Sequence, residues 1–279
     1  MKIALCLFGS IGSTFKPKRN LSDNFLNPEV CFKSIKHNII DKFETDVFFH
    51  TWKNNYNNKL VKLYNPKAFK IEKQINFEPK LLNYSLKYIN CYNDVCSLKE
   101  DNQDPEIVYK DLAYRAHSRW HSQTQVLNIL ENFSKRNKVK YDFIIQSRFD
   151  LIINNLPNLN DLNKKKFYLV KKNIKSPNSL YDIFFISNFK AAQKIKNIKK
   201  KLYDYPIDPS QALYFFFRDK KINYQNYIEF KDIILYRYLI RKNNLFKKII
   251  FMFIFYPLNL FFLSLKKIHK TINKFLNHE

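Results

Sequence analysis

The chain has 279 residues, 46% of them hydrophobic, which is enough to bury a sizeable core in one or two domains. Forty-nine lysines and arginines against 24 acidic residues leave a formal charge of +25, a field that attracts nucleic acid, anionic lipid or phosphorylated small molecules. The lysines run along the whole chain without any RRM, KH, zinc-finger or helix-turn-helix signature, so sequence-specific nucleic-acid binding is not expected.

Residues 2–8 open the chain as a continuous apolar run, the pattern of a strand buried on both faces. It empties into Phe8-Gly9-Ser10-Ile11-Gly12-Ser13, which holds both glycines of the chain. Compositional bias toward Lys, Asn, Ile and Phe explains why glycine is scarce but not why the two are clustered. A strand ending in a Gly/Ser loop is where α/β proteins take up the phosphates of a nucleotide. The loop lacks the spacing and Lys of a Walker A motif, and neither GxGxxG nor a serine-hydrolase elbow is present. Met1 and Lys2 precede too short an apolar run for a secretory leader, and Cys6, Cys31, Cys91 and Cys96 form neither CxxC nor a paired framework. A reduced, cytosolic start is therefore expected.

Residues 15–28 read as a polar loop with a basic cluster at Lys16, Lys18 and Arg19, and residues 30–43 carry helical apolar spacing after Pro28. Residues 46–50 read as a second strand, 53–66 as an Asn-rich connection and 67–72 as a third, alternating strand. Residues 75–105 form a polar excursion, and 107–136 a long helix. Strands are predicted at 141–146, 167–170 and 183–186, and helices at 189–203, 209–219 and near 228–242. The alternation predicts an α/β fold with a mostly parallel sheet flanked by helices. The run at 249–265, set between Lys247-Lys248 and Lys266-Lys267, is short for a span and interrupted by Pro257 and Asn259. Basic residues on both sides favour a helix lying on an anionic membrane surface.

Asp150, just past the strand at 141–146, stands where a carboxylate can hold Mg2+ or Mn2+, or simply cap a turn or pair with Arg148. Arg148 can fork onto a phosphate or neutralise Asp150. His50 ends the second strand at the same sheet edge as Gly9, placed for a base or ribose or for a structural role. Arg119 and Gln123 lie in a hydrogen-bonding stretch of the long helix within reach of a diphosphate. His117 and His121 share a helix face at i, i+4, but no Glu completes HExxH and Arg119 lies between them, so zinc is not expected. Asp182 and Asp208 are candidate general bases, Asp208 also being a natural N-cap for the helix opened by Pro209.

The opening KIALCLFGSIGS, then DVFFHTW, then SRWHSQTQVLNILENF leading into YDFIIQSRFDL resemble a group of bacterial surface-polysaccharide glycosyltransferases with a nucleotide-diphospho-sugar transferase (GT-A) fold. The resemblance covers about residues 1–220. It implies a Rossmann-type sheet with a sugar nucleotide at its carboxyl edge, and Arg-Phe-Asp at 148–150 in place of the Asp-x-Asp metal motif. Arg148 stands where the first Asp would, and Gln211 where relatives often carry Glu. The segment 182–186 resembles the one that lines the acceptor side.

The combined expectation is a GT-A-like catalytic domain over 1–243 and a membrane-association segment over 244–279, peripheral on the cytoplasmic face of the membrane. Gly9, Ser10 and Gly12 would approach the nucleotide with His50, while Arg119, Gln123 and Arg148 would hold the diphosphate. Asp150 would hold a divalent cation (Mn2+ or Mg2+), and Asp182 or Asp208 would take the proton of a surface-glycan or lipid-linked acceptor. A sulfotransferase-like use of the Gly/Ser loop with Lys16, Lys18 and Arg19, and a non-catalytic membrane- or polyanion-binding protein, are the alternatives. Gly9, Gly12, His50 and Asp150 are expected to converge on one cleft.

Overall fold

The computed structural model describes residues 1–11, 27–77, 105–171 and 178–236. Gly12, the cluster at Lys16, Lys18 and Arg19, and the segment 244–279 lie outside the described residues. The chain divides into units Met1–Leu235 and Tyr236–Glu279, and the sheet and its helices belong to the first.

Strand β1 (Lys2–Gly9) is followed by α1 (Pro28–Ile35), which Asn27 caps by accepting from the Glu29 N–H and which Pro28 opens at its first turn. A wider π-helical turn at Lys36–Ile40 leads into β2 (Glu44–Trp52). Then come α2 (Asn57–Tyr64), β3 (Ala68–Glu72) and the long α3 (Pro105–Asn137). Strands β4 (Phe143–Arg148), β5 (Leu151–Ile153), β6 (Phe167–Val170) and β7 (Phe184–Ser187) follow. Helices α4 (Phe189–Ile195) and α5 (Pro209–Asp219) precede β8 (Tyr224–Ile228) and β9 (Ile233–Leu235).

The main sheet has seven strands in the order β3-β2-β1-β4-β7-β6-β8, and β5 pairs with β9 as a separate antiparallel ribbon. Of the seven, β7 alone runs against the rest, pairing antiparallel with both β4 and β6. The fold is therefore the α/β, mostly parallel sheet flanked by helices that the sequence predicts. Odd positions of β1 (Ile3, Leu5, Leu7) pack with α1 and α2, while even positions (Ala4, Cys6, Phe8) pack with α3, α4 and α5. Both faces are buried, which is why the strand reads as an unbroken apolar run.

Two departures have local causes. The Asn-rich connection contains α2, whose buried stripe of Leu60 and Tyr64 is obscured by its polar composition, with the Asn57 side chain taking the Asn54 N–H at 2.5 Å. The start of 228–242 is not an α-helix: a single 3-10 turn at Phe230–Asp232 links two strands. Ile228 closes β8 beside β6, and Ile233 and Leu235, two positions apart and buried, pair with β5. β-branched residues with period-two burial belong to a strand, and the apolar richness of the segment hid that period.

The left-handed positions show how a glycine-poor chain makes its turns. Asn65, Lys138 and Lys221 sit at φ of 40°, 55° and 48°, where other proteins commonly place glycine, whereas Gly9 sits at φ 98°. The first three lie in or near the small left-handed region open to L-residues, and the last lies beyond it. Lys138 is exposed and follows the last residue of α3. Replacing Lys138 with Gly relieves the Cβ strain there without losing a buried contact, so chemical denaturation should show a gain of about 0.5–1 kcal/mol. An unchanged or lower midpoint contradicts this reading.

Candidate functional site

Parallel pairing brings three strand ends to one edge. Phe8 registers with His50 on one side and Arg148 on the other, and Gly9 with Thr51. Phe8, His50 and Arg148, paired in this way, project to the same face, here the face covered by α3. At Gly9 a Cβ would meet nothing within 4 Å, so its φ of 98°, not lack of space, demands glycine. Its N–H donates to Ser122 Oγ at 2.8 Å. Ser10 is held from the other side, Asn54 Nδ2 donating to its Oγ at 3.1 Å.

Helix α3 serves two groups from one stretch. Arg119 and Gln123, one turn apart, reach toward β4 and β7, while His121 and Ser122 reach toward β2 and β3. In the first group, Arg119 Nε pairs with Asp182, and its guanidinium carbon lies 4.8 Å from the Phe8 ring centroid and 5.0 Å from that of Trp120. Its side chain is only 8% exposed. Among the described residues Nη2 has no hydrogen-bond partner. Burial lowers its pKa to about 10, against the opposing pull of Asp182, while Arg148 and Asp150 act on it from nearby. The Arg148 N–H donates to the Ile183 carbonyl, which brings the Asp182 segment beside the end of β4.

Arg148 forks onto Asp150: Nε meets Oδ1 at 2.7 Å and Nη2 meets Oδ2 at 2.8 Å. Asp150 is buried at 1% exposure. Both carboxylate oxygens are thus engaged by a cation of the chain itself, with Arg119 as a second positive charge close by. A divalent ion wants a carboxylate oxygen free of such a partner, so these residues do not fit the Mg2+ or Mn2+ expected at Asp150. Gln123 does not reach the charged pairs, since its Nε2 donates to Gln146 Oε1 at 2.7 Å inside the core. Asp208 caps α5, its Oδ1 accepting from the N–H groups of Ser210 and Gln211 at 3.0 Å each.

The second group centres on Glu72, which the sequence gives no reason to select. His50, fully buried, approaches Glu72 Oε1 through Nε2 at 3.0 Å and Ser122 Oγ through Nδ1 at 2.7 Å. His121 Nε2 meets the same Glu72 oxygen. Trp52 stacks on the His121 ring, and Phe77 stacks on His117. His50 is therefore enclosed by protein partners and does not present a nitrogen to a base or ribose. The ligand atoms of His50, Glu72 and His121 lie within 4.8 Å of one another, a set able to hold a metal ion such as zinc. Lys199 Nζ, however, donates to His121 Nδ1 at 2.7 Å, which leaves the ring proton on Nε2 facing Glu72. A metal here would displace that proton and turn Lys199 away. Sequence spacing pairs His121 with His117, but that helix neighbour is stacked apart and the partners come from β2 and β3.

Burial pulls the Glu72 pKa upward, but hydrogen bonds from Lys70, His121 and His50 outweigh it and hold the group at about 2. Burial pushes His50 down to about 4 despite Glu72, and His121 downward as well.

No family model and no curated protein matches the sequence. Solved structures similar to this chain include the apo glycosyltransferase GlyE of Streptococcus pneumoniae TIGR4, at 11% identity and TM-score 0.40, over 80% of this chain and 44% of that one. A protein of Desulfovibrio desulfuricans G20 described as a nucleotide-diphospho-sugar transferase matches at 10% identity and TM-score 0.40, over 82% of this chain and 80% of that one. A cytidylyltransferase of Leptospira borgpetersenii matches at 11% identity and TM-score 0.37, over 83% and 78%. These likenesses concern the fold alone. This chain spans less than half the length of GlyE.

The depressed pKa values carry a sign. His50 and Glu72 bind protons more readily unfolded than folded, so the stability they supply is present at neutral pH and lost on acidification. For His50 the loss falls between about pH 6.5 and 4 and amounts to roughly 3 kcal/mol, and Glu72 extends it toward pH 2. Thermal melts from pH 7.5 to 4 should fall steeply in wild type and less steeply in His50→Gln. Parallel slopes in the two proteins contradict the assignment.

Proposed function

We propose that the chain is a glycosyltransferase that takes its sugar from a nucleoside-diphosphate donor at the carboxyl edge of the sheet. The observation that carries the reading is the buried Arg119 guanidinium, which lies over the Phe8 ring near the Arg148–Asp150 pair and whose Nη2 has no hydrogen-bond partner among the described residues. A carboxyl-edge cleft at the end of β1 is where α/β proteins hold nucleotides, and a desolvated guanidinium there matches a phosphate oxygen. The resemblance of residues 1–220 to surface-polysaccharide glycosyltransferases supports the same class.

In the transfer, the acceptor hydroxyl oxygen forms a bond to the anomeric carbon while the bond from that carbon to the diphosphate oxygen breaks. The hydroxyl proton passes to a base, and the nucleoside diphosphate leaves with one more negative charge. Arg119 and Arg148 stabilise that developing charge. Asp182 holds Arg119 in position. Asp208 does the work of a helix cap, so between the two carboxylates only Asp182 borders the charged group. Among the described residues no helix is long and apolar enough to cross a membrane. The basic and apolar segment 244–279 supports a lipid-linked or surface-glycan acceptor met at an anionic membrane surface.

A panel of UDP-, GDP- and CDP-sugars, scored for hydrolysis and for melting temperature beside a sulfonucleotide, tests the proposal. One nucleotide sugar at saturating concentration should raise the melting temperature by about 5 °C or more. Asp182→Asn should lower kcat/KM by about tenfold or more at a melting temperature that still shows a folded protein. Stabilisation by the sulfonucleotide alone, or by no donor, overturns the reading.

A further inference from the structure

The donor site has the wrong chemistry for the metal that the resemblance implies, and the same side chains supply a substitute. Asp150, in the position of the metal-binding carboxylate, has both oxygens taken by Arg148 in a bidentate pair, and its side chain is 2% exposed. Releasing it to a cation would leave Arg148 without its partner and place a divalent charge beside two guanidinium groups. Arg119, meanwhile, has a side chain more than nine-tenths buried, with an Nη2 that finds no hydrogen-bond partner among the described residues. It lies over the ring of Phe8, the residue before Gly9 at the end of β1. A buried donor left unmade is costly, and an anion that accepts from it recovers that cost.

We propose that this protein binds the diphosphate of its donor without a divalent cation, a phosphate oxygen accepting from Arg119 Nη2 while Arg148 stays on Asp150. The inference rests on the nucleotide-sugar reading and adds to it the metal independence of the site. The guanidinium would supply, as a fixed charge that needs no metal loading, the positive charge that a divalent cation would otherwise bring to the diphosphate.

Isothermal titration of the full chain with UDP, GDP and CDP, each in EDTA and again in Mn2+ or Mg2+, decides the matter. At least one diphosphate should bind with affinities in the two conditions that agree within about twofold. Arg119→Lys, which keeps the charge but removes the fork, should weaken binding about tenfold or more in EDTA, with the fold checked by circular dichroism. Binding that appears only with Mn2+ or Mg2+ overturns the inference and leaves the glycosyltransferase reading standing. Binding of no nucleoside diphosphate in either condition overturns both. Affinity, not melting temperature, is the readout, because a cation taken by His50, Glu72 and His121 would shift the melt of the nucleotide-free protein.

Discussion

A guanidinium taken out of water sets the terms of this structure. Removing a charge from solvent costs several kcal/mol unless partners surround it. Arg119 gains Asp182 on one side and the faces of Phe8 and Trp120 against it. Those partners come from β1, from α3 itself and from the segment leading into β7, so the cation is tolerable only when all three are assembled. Along the same helix, Ser122 ties to the Gly9 N–H and to His50. One stretch of α3 therefore positions the strand end, the charged pairs and the Glu72 cluster together.

Much of this frame was legible in the residues. The unbroken apolar run at 2–8 and the shorter runs at 46–50, 141–146 and 183–186 became β1, β2, β4 and β7, because strands buried on both faces have no polar side to blur the signal. The long helix was legible from its apolar face, and the helix at 209–219 from Asp208 and Pro209. The glycine cluster was informative for a reason sharper than scarcity. Asn and Lys serve at φ near 40–55°, and Gly9 is kept where φ reaches 98°.

What stayed hidden was pairing across the fold. Sequence could state that Arg148 and Asp150 were two apart, but not whether the arginine served a ligand or its neighbour. A bidentate pair is decided by backbone direction after the strand ends. Glu72 gave no signal, being the last residue of an alternating strand with an ordinary polar neighbour, and its meaning comes only from His50 beside it and His121 across from it. The i, i+4 histidines pointed to a helix face, which was real, but the third member lay in another element.

The local and global charges of the molecule differ in kind. The four groups at the edge, Arg119, Arg148, Asp150 and Asp182, sum to zero, while the chain as a whole carries +25. At physiological ionic strength the field of distant lysines fades over about 8 Å, so it steers an anionic ligand toward the protein without holding it in place. Holding falls to fixed donors at the edge, where low exposure preserves the strength of each hydrogen bond. On the nucleotide-sugar proposal, capture falls to the surplus positive charge and recognition to the neutral, buried pairs.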